Sequence, residues 1–349
     1  MLRIGRVLVN FHSLCTEGYA ALHQLVDIAF CGWAVNSECC RRGTDMTSIR
    51  RLISRYPLIA FFAIAYILTW LGWTLPERIY AGTLLSGAFA LPFLLMVPGP
   101  LYAALIVTAI TGGKPGVVAL LKKFTIWRVG WGWIAVALLT APVIGVTPAY
   151  LNMVFGGPNP TAALIASAPP MLMMFAIRLV NPLDGPMQEE LGWRGFALPR
   201  LQERHLPLVA SAILGVLVVI WHVPLVLLDM LPSYALFGTF AFTIVFGWLF
   251  NNTKGSVLIT LIAHAADGLV ITGNLGLNAI DSERHIMLLV ATWCVTALVV
   301  VILYGPTLTR KPIPRAPEIN LERSPFLAHS GHSSPSRGAG GICCLIPRF

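Results

Sequence analysis

From residue 57 to residue 304 the chain is a succession of long apolar runs separated by short polar ones. Eight runs stand out, near 57–75, 82–111, 131–153, 162–182, 206–228, 235–251, 255–274 and 286–304. Most have the roughly 17–25 residues that an α-helix needs to cross the hydrocarbon of a bilayer. Pro92, Pro98 and Pro100 interrupt the second run, so a kinked or broken helix is predicted there. The pattern predicts an all-α fold, a polytopic transmembrane helical bundle of about eight spanning helices.

Composition agrees with that pattern. Hydrophobic residues make up 56% of the chain and charged residues 11%, with a mean hydropathy of +0.76. Soluble domains carry about 25% charged residues, so a water-soluble fold around one core is excluded and membrane lipid is the first partner. The net charge of +9 lies in short loops and tails. No continuous basic face or aromatic-basic repeat marks a nucleic-acid binder.

The basic residues read as a topology signal. Arg50, Arg51 and Arg55 precede the first run, and Lys114, Lys122, Lys123 and Arg128 lie between the second and third. Arg194, Arg200 and Arg204 lie between the fourth and fifth, Lys254 follows the sixth, and Arg310, Lys311 and Arg315 follow the eighth. The loops near 155–160 and 229–234 contain no Lys or Arg, and the other two alternate loops carry Arg78 and Arg284 alone. The positive-inside rule then places both termini in the cytoplasm of a multi-pass integral membrane protein.

The ends differ from the middle. Residues 1–50 are mixed in character, and their one apolar stretch, Leu25 to Val35, contains Asp27 and is too short to span. They read as a disordered extension or a spurious one, with Met46 as the true start. Residues 305–349, rich in Pro, Ser and Arg, read as a disordered cytoplasmic tail. Six of the seven cysteines lie in these ends and no CxxC pair occurs, so neither a zinc ribbon nor a disulfide scaffold follows. The pair Cys343-Cys344 stands too far from Phe349 to form a prenylation box.

Ionisable groups within a bilayer are costly and mark function by default. Here they concentrate in three places: Met187-Gln188-Glu189-Glu190-Leu191-Gly192-Trp193-Arg194, His222 deep in the fifth run, and His264 with Asp267 in the seventh. On a helix Glu190 and Arg194 share a face and can pair, whereas Glu189 lies about 100° round and is left to face the bundle. His264 and Asp267 also share a face. A cavity lined by Glu189, His222, His264 and Asp267 can polarise a water and supply a general base. Two neutral imidazoles and a carboxylate equally suit a divalent metal such as zinc, with Glu189, His222 and His264 as ligands. A buried His that merely bonds a neighbouring helix, or a Glu pair that caps a helix end, is the plainer reading of each group alone. The joint cost of burying the whole set weighs against it.

Glu189-Glu190-x-x-x-Arg194 followed by Gly195-Phe196-Ala197-Leu198-Pro199-Arg200-Leu201-Gln202 resembles the first motif of the CPBP family. These are the CAAX prenyl endopeptidases and bacteriocin-processing or self-immunity proteins, also called Abi. His222 and His264 match the histidines of the second and third motifs. The likeness is strong over about 160–275, and 98–133 is similar to the upstream part of bacterial members. It divides the chain into N-terminal transmembrane helices at 51–160, a CPBP-like catalytic core at 161–275 and a last transmembrane helix at 276–304.

The resemblance implies an intramembrane endopeptidase, metallo- or glutamate-dependent. Glu189 would activate the attacking water, His222 and His264 would hold it or stabilise the oxyanion, and Glu190 and Arg194 would support them. It also implies a bacterial plasma membrane and a membrane-embedded or prenylated peptide or protein as substrate. Two positions depart from the pattern. Val218 stands where the second motif has Phe, and Gly268 stands four after His264 where the third has Asn or Asp. Asp267 falls on nearly the same helix face and is the expected substitute.

Other intramembrane protease classes are disfavoured, because neither HExxH, GxSG nor GxGD occurs. The alternatives are a non-catalytic membrane scaffold or bacteriocin self-immunity protein, and a proton-coupled transporter. A transporter predicts an internal repeat, and the first four runs do not resemble the last four.

Overall fold

A computed structural model of the protein describes residues 43–80, 97–183, 185–270 and 272–309. The expectations for residues 1–42 and 310–349, and for the first half of the second predicted span, lie outside them, whereas residues 43–50, expected to be disordered or spurious, are helical. The described residues are helical and contain no strand, as the apolar pattern predicts. The helices are α1 (Gly43–Arg55), α2 (Pro57–Tyr80), α3 (Gly99–Leu121), α4 (Trp131–Val154) and α5 (Thr161–Val180). After them come α6 (Gly185–Glu190), a π-helical segment (Leu191–Ala197), α7 (Leu198–Gln202), α8 (Pro207–Leu227), α9 (Ala235–Asn252), α10 (Val257–Asp267) and α11 (Ala279–Tyr304).

Among the described residues seven helical stretches are long and apolar enough to cross a membrane. The difference from the expected eight lies in the run 255–274. Its helix α10 has 11 residues, and at 1.5 Å per residue that is about 16 Å, half the hydrocarbon thickness. The apolar run continues past Asp267, but Gly268 caps the helix and the chain turns. The start of α10 is fixed by Ser256, whose Oγ accepts from the Ile259 amide at 3.1 Å and donates to the Ile126 carbonyl at 2.6 Å.

Local sequence sets the other boundaries and bends. Pro207 opens α8, where the missing amide costs nothing. Asn278 caps α11 by accepting from the Asp281 amide at 2.8 Å. Gly113, at φ +58° and followed by Pro115, kinks α3. Gly99 lets α3 lie directly on Ala65 and Thr69 of α2, with no room for a Cβ.

Two apolar cores hold the bundle. One joins α2, α3, the π segment and α8 through Phe61, Ala104, Trp193, Phe196, Leu214 and Trp221. The other joins α4, α9, α10 and α11 through Ala141, Phe246, Ile259, Ala266 and Trp293. Outward positions such as Ile59, Ile165, Leu172, Met173, Leu227 and Ile302 are exposed. In a bilayer that is the lipid-facing side of the bundle.

The π segment is the least expected element. All seven of its residues are buried, wedged against α3. Gly192 meets Pro100 so closely that a Cβ there would lie 2.6 Å from the proline Cβ. Widened i→i+5 turns are rare and occur mostly at functional sites. Its carbonyls receive cations: Lys123 donates to the Gly195 carbonyl at 2.6 Å and Arg200 to the Phe196 carbonyl at 3.0 Å.

Candidate active site

The two glutamates end α6 and go separate ways. Glu190 is fully buried. Its Oε1 accepts from Arg194 Nη1 at 3.0 Å and from His264 Nδ1 at 2.8 Å. The Arg194 pairing is the i,i+4 contact that the spacing predicts. The guanidinium is buried as well, and its remaining face covers the rings of Phe246 at 4.9 Å and Phe242 at 5.5 Å. His264 is packed edge-on by the same two rings. A carboxylate only accepts, so Nδ1 of His264 carries the proton and Nε2 of the neutral ring keeps its lone pair.

Glu189 is half-buried, and its Oε2 accepts from Trp193 Nε1 at 3.4 Å. The other oxygen faces a gap at Gly185. A Cβ on that glycine would lie 2.9 Å from Glu189 Oε1 and 4.0 Å from His264 Nε2. Glu189 Oε1 and the Nε2 lone pair of His264 therefore both lie beside Gly185, near one another. Asp267, at the end of α10, is in electrostatic reach of His264, Arg178 and Glu189.

His222 is held one step away. Its Nδ1 lies 2.9 Å from the Val218 carbonyl, so that nitrogen donates and Nε2 is left with the lone pair. The ring packs edge-on against Trp221 at 4.7 Å and near Trp73 of α2 at 6.4 Å. Trp221 in turn meets Trp193, the partner of Glu189, at 5.6 Å. Trp70 Nε1 donates to the Trp221 carbonyl at 3.0 Å and Tyr66 donates to the Leu217 carbonyl at 2.5 Å. These bonds fix α8, and with it His222, against α2. Glu189, Glu190, Arg194, His264 and Asp267 thus form one cluster, to which His222 is joined through two tryptophans.

Among the described residues no three His, Cys, Asp or Glu side chains are gathered as a metal-holding group. The Nδ1 of His264 bonds Glu190 and that of His222 a backbone carbonyl, which leaves each Nε2 lone pair available, but the rings are not gathered with Glu189 into one ligand set. As placed, Glu189, His222 and His264 do not fit a three-ligand zinc centre, and no step is derived through a metal.

Residues 167–269 match the family model described as type II CAAX prenyl endopeptidase Rce1-like. That match covers less than a third of the chain, and with the relative below it supports a CPBP-family protease. Every candidate residue from Glu189 to Asp267 lies inside the matched stretch. A protein named CAAX prenyl protease 2, from Methanococcus maripaludis, is 24% identical over 248 residues, covering 65% of this chain and 87% of that relative. These likenesses support an intramembrane protease.

Sequence reasoning passed over three residues of this site. Trp193 stands four after Glu189, the same spacing that linked Glu190 to Arg194. Gly185 carries no chemistry of its own. Arg178, a cation in the last turn of the otherwise apolar α5, met the rule applied to the other buried charges and was not counted among them.

Proposed function

We propose that the protein is an intramembrane endopeptidase in which Glu189 activates a water for attack on a peptide bond at the membrane. The observation that carries this reading is the convergence of Glu189 Oε1 and His264 Nε2 beside Gly185. Glu189 accepts a proton from the water while the water oxygen bonds to the scissile carbonyl carbon. The carbonyl π electrons move onto oxygen, while the Nε2 lone pair of His264 accepts from the water's other hydrogen and holds the water for attack. On collapse the carbon–nitrogen bond breaks, and the proton held by Glu189 passes to the leaving amine. Glu190 and Arg194 hold His264 through its Nδ1 and do not touch the reacting atoms.

The substrate class follows the same family. The Methanococcus relative is named for prenylated CAAX tails, and we extend to this chain a membrane-embedded or prenylated peptide as substrate. The test is cleavage of a membrane-seated prenylated peptide by purified protein in liposomes, with Glu189→Gln and His264→Ala alongside. Loss of cleavage in both folded variants is the expected result. Full cleavage by either variant refutes the assignment, and biological activity without cleavage in both identifies a scaffold or immunity role.

A further inference from the structure

Gly268 follows α10, four residues after His264. Its backbone is ordinary, at φ −78° and ψ 5°, so any residue could adopt it. What a side chain there would meet is the end of Arg178, which would have to move. A Cβ at 268 would coincide with Nη1 of Arg178 and lie 2.7 Å from its Cζ and 3.2 Å from its Cδ. The guanidinium from α5 therefore occupies the volume that a side chain at 268 would fill, beside Asp267, which in turn senses His264 and Glu189.

A cation in the last turn of a membrane helix has a plainer explanation, since it suits the helix dipole and can reach the interface. That explanation asks nothing of position 268. The interlock does. In the CPBP pattern this position carries Asn or Asp, and here the polar group at the same corner arrives from another helix.

We infer that Arg178 is a positioning residue of the site, seated in the gap at Gly268, and that it holds the last turn of α10 so that His264 and Asp267 face Glu189. The inference rests on the peptidase reading for its kinetic consequence but not for the seat itself. Misplacing a catalytic group by an ångström costs about a hundred-fold in rate.

The test compares Arg178→Ala, Arg178→Lys, Gly268→Ala and the double variant Arg178→Ala/Gly268→Asn in liposomes, with thermal unfolding of each in detergent. Arg178→Ala and Gly268→Ala should lower kcat by about ten-fold or more with KM little changed. Arg178→Lys should retain more kcat than Arg178→Ala, and the double variant should recover part of the loss. Gly268→Ala should lower the unfolding temperature in the wild-type background and not in the Arg178→Ala background, where the clash is gone. Wild-type kcat in folded Arg178→Ala, or an equal Gly268→Ala effect in both backgrounds, overturns the inference. If the wild-type protein cleaves no peptide, the peptidase reading falls, and the thermal cycle alone decides the seat.

Discussion

Replacing Glu190 with Gln removes one charge from the most deeply buried polar cluster of the protein and changes almost no volume. The carboxylate accepts two hydrogen bonds on one oxygen, from Arg194 at 3.0 Å and His264 at 2.8 Å. A glutamine oxygen can still accept both, but the bond from His264 drops from the charge-assisted range of about 1.5–3 kcal/mol to about 0.5–1.5 kcal/mol, and that from Arg194 loses its ion-pair attraction. The larger effect is on Arg194, which is buried to 1% exposure and would lose the carboxylate charge it touches. Breaking one partner of a buried pair costs about 3–5 kcal/mol, and that is the destabilisation expected of Glu190→Gln. Replacing both partners, as in Glu190→Gln/Arg194→Met, should recover most of it, because an apolar substitute for a buried pair is often neutral. Cleavage should not recover, because His264 still lacks its anionic anchor, and kcat should stay down about a hundred-fold. The assay is a double-mutant cycle of unfolding in detergent, read beside liposome cleavage. If Glu190→Gln unfolds within about 0.5 kcal/mol of wild type, the scale of an exposed substitution, the buried pair is refuted.

Other outcomes follow from single contacts. Trp193→Phe keeps the ring against Phe61 and removes the long 3.4 Å donation to Glu189. It should lower kcat by about ten-fold, the small end for a bond to a charged group, and lower the unfolding temperature through the cavity the smaller ring leaves. Gly192→Ala drives a Cβ to 2.6 Å from Pro100 Cβ and 2.9 Å from its carbonyl oxygen. About 1–3 kcal/mol of destabilisation is expected, seen as a lower unfolding temperature. Arg284 donates to Asn152, to the Phe155 carbonyl and to Asp281, each at 3.0 Å, and none of these belongs to the site. Arg284→Met should therefore destabilise the protein and leave cleavage per folded molecule unchanged.

The sequence pattern revealed the bundle more readily than its centre. Long apolar runs betray spanning helices because length alone decides whether a helix crosses a bilayer. The run through Leu269-Val270-Ile271 hid the early end of α10, although Gly268, Gly273 and Gly276 were available as breakers. The Glu190–Arg194 pair was legible from helical spacing. The bond from Glu190 to His264 was not, since 74 residues separate them and only packing brings α6 to α10. The same holds for the π segment, because a single widened turn leaves no period to detect. Arg178 was legible as a charge in an apolar helix, but its seat at Gly268 depends on how α5 meets α10.

The central claim is that Glu189 and His264 come together beside Gly185, and proximity tests it without relying on activity. In a background lacking the native cysteines, Glu189→Cys/His264→Cys would be treated in liposomes with a short bifunctional thiol reagent. Cleavage of an engineered loop and electrophoresis would then score the cross-link, with Glu189→Cys/Arg284→Cys as the distant control. A cross-link in the first pair and none in the second is the predicted result. No link between 189 and 264, with both thiols shown to react singly, would contradict the account.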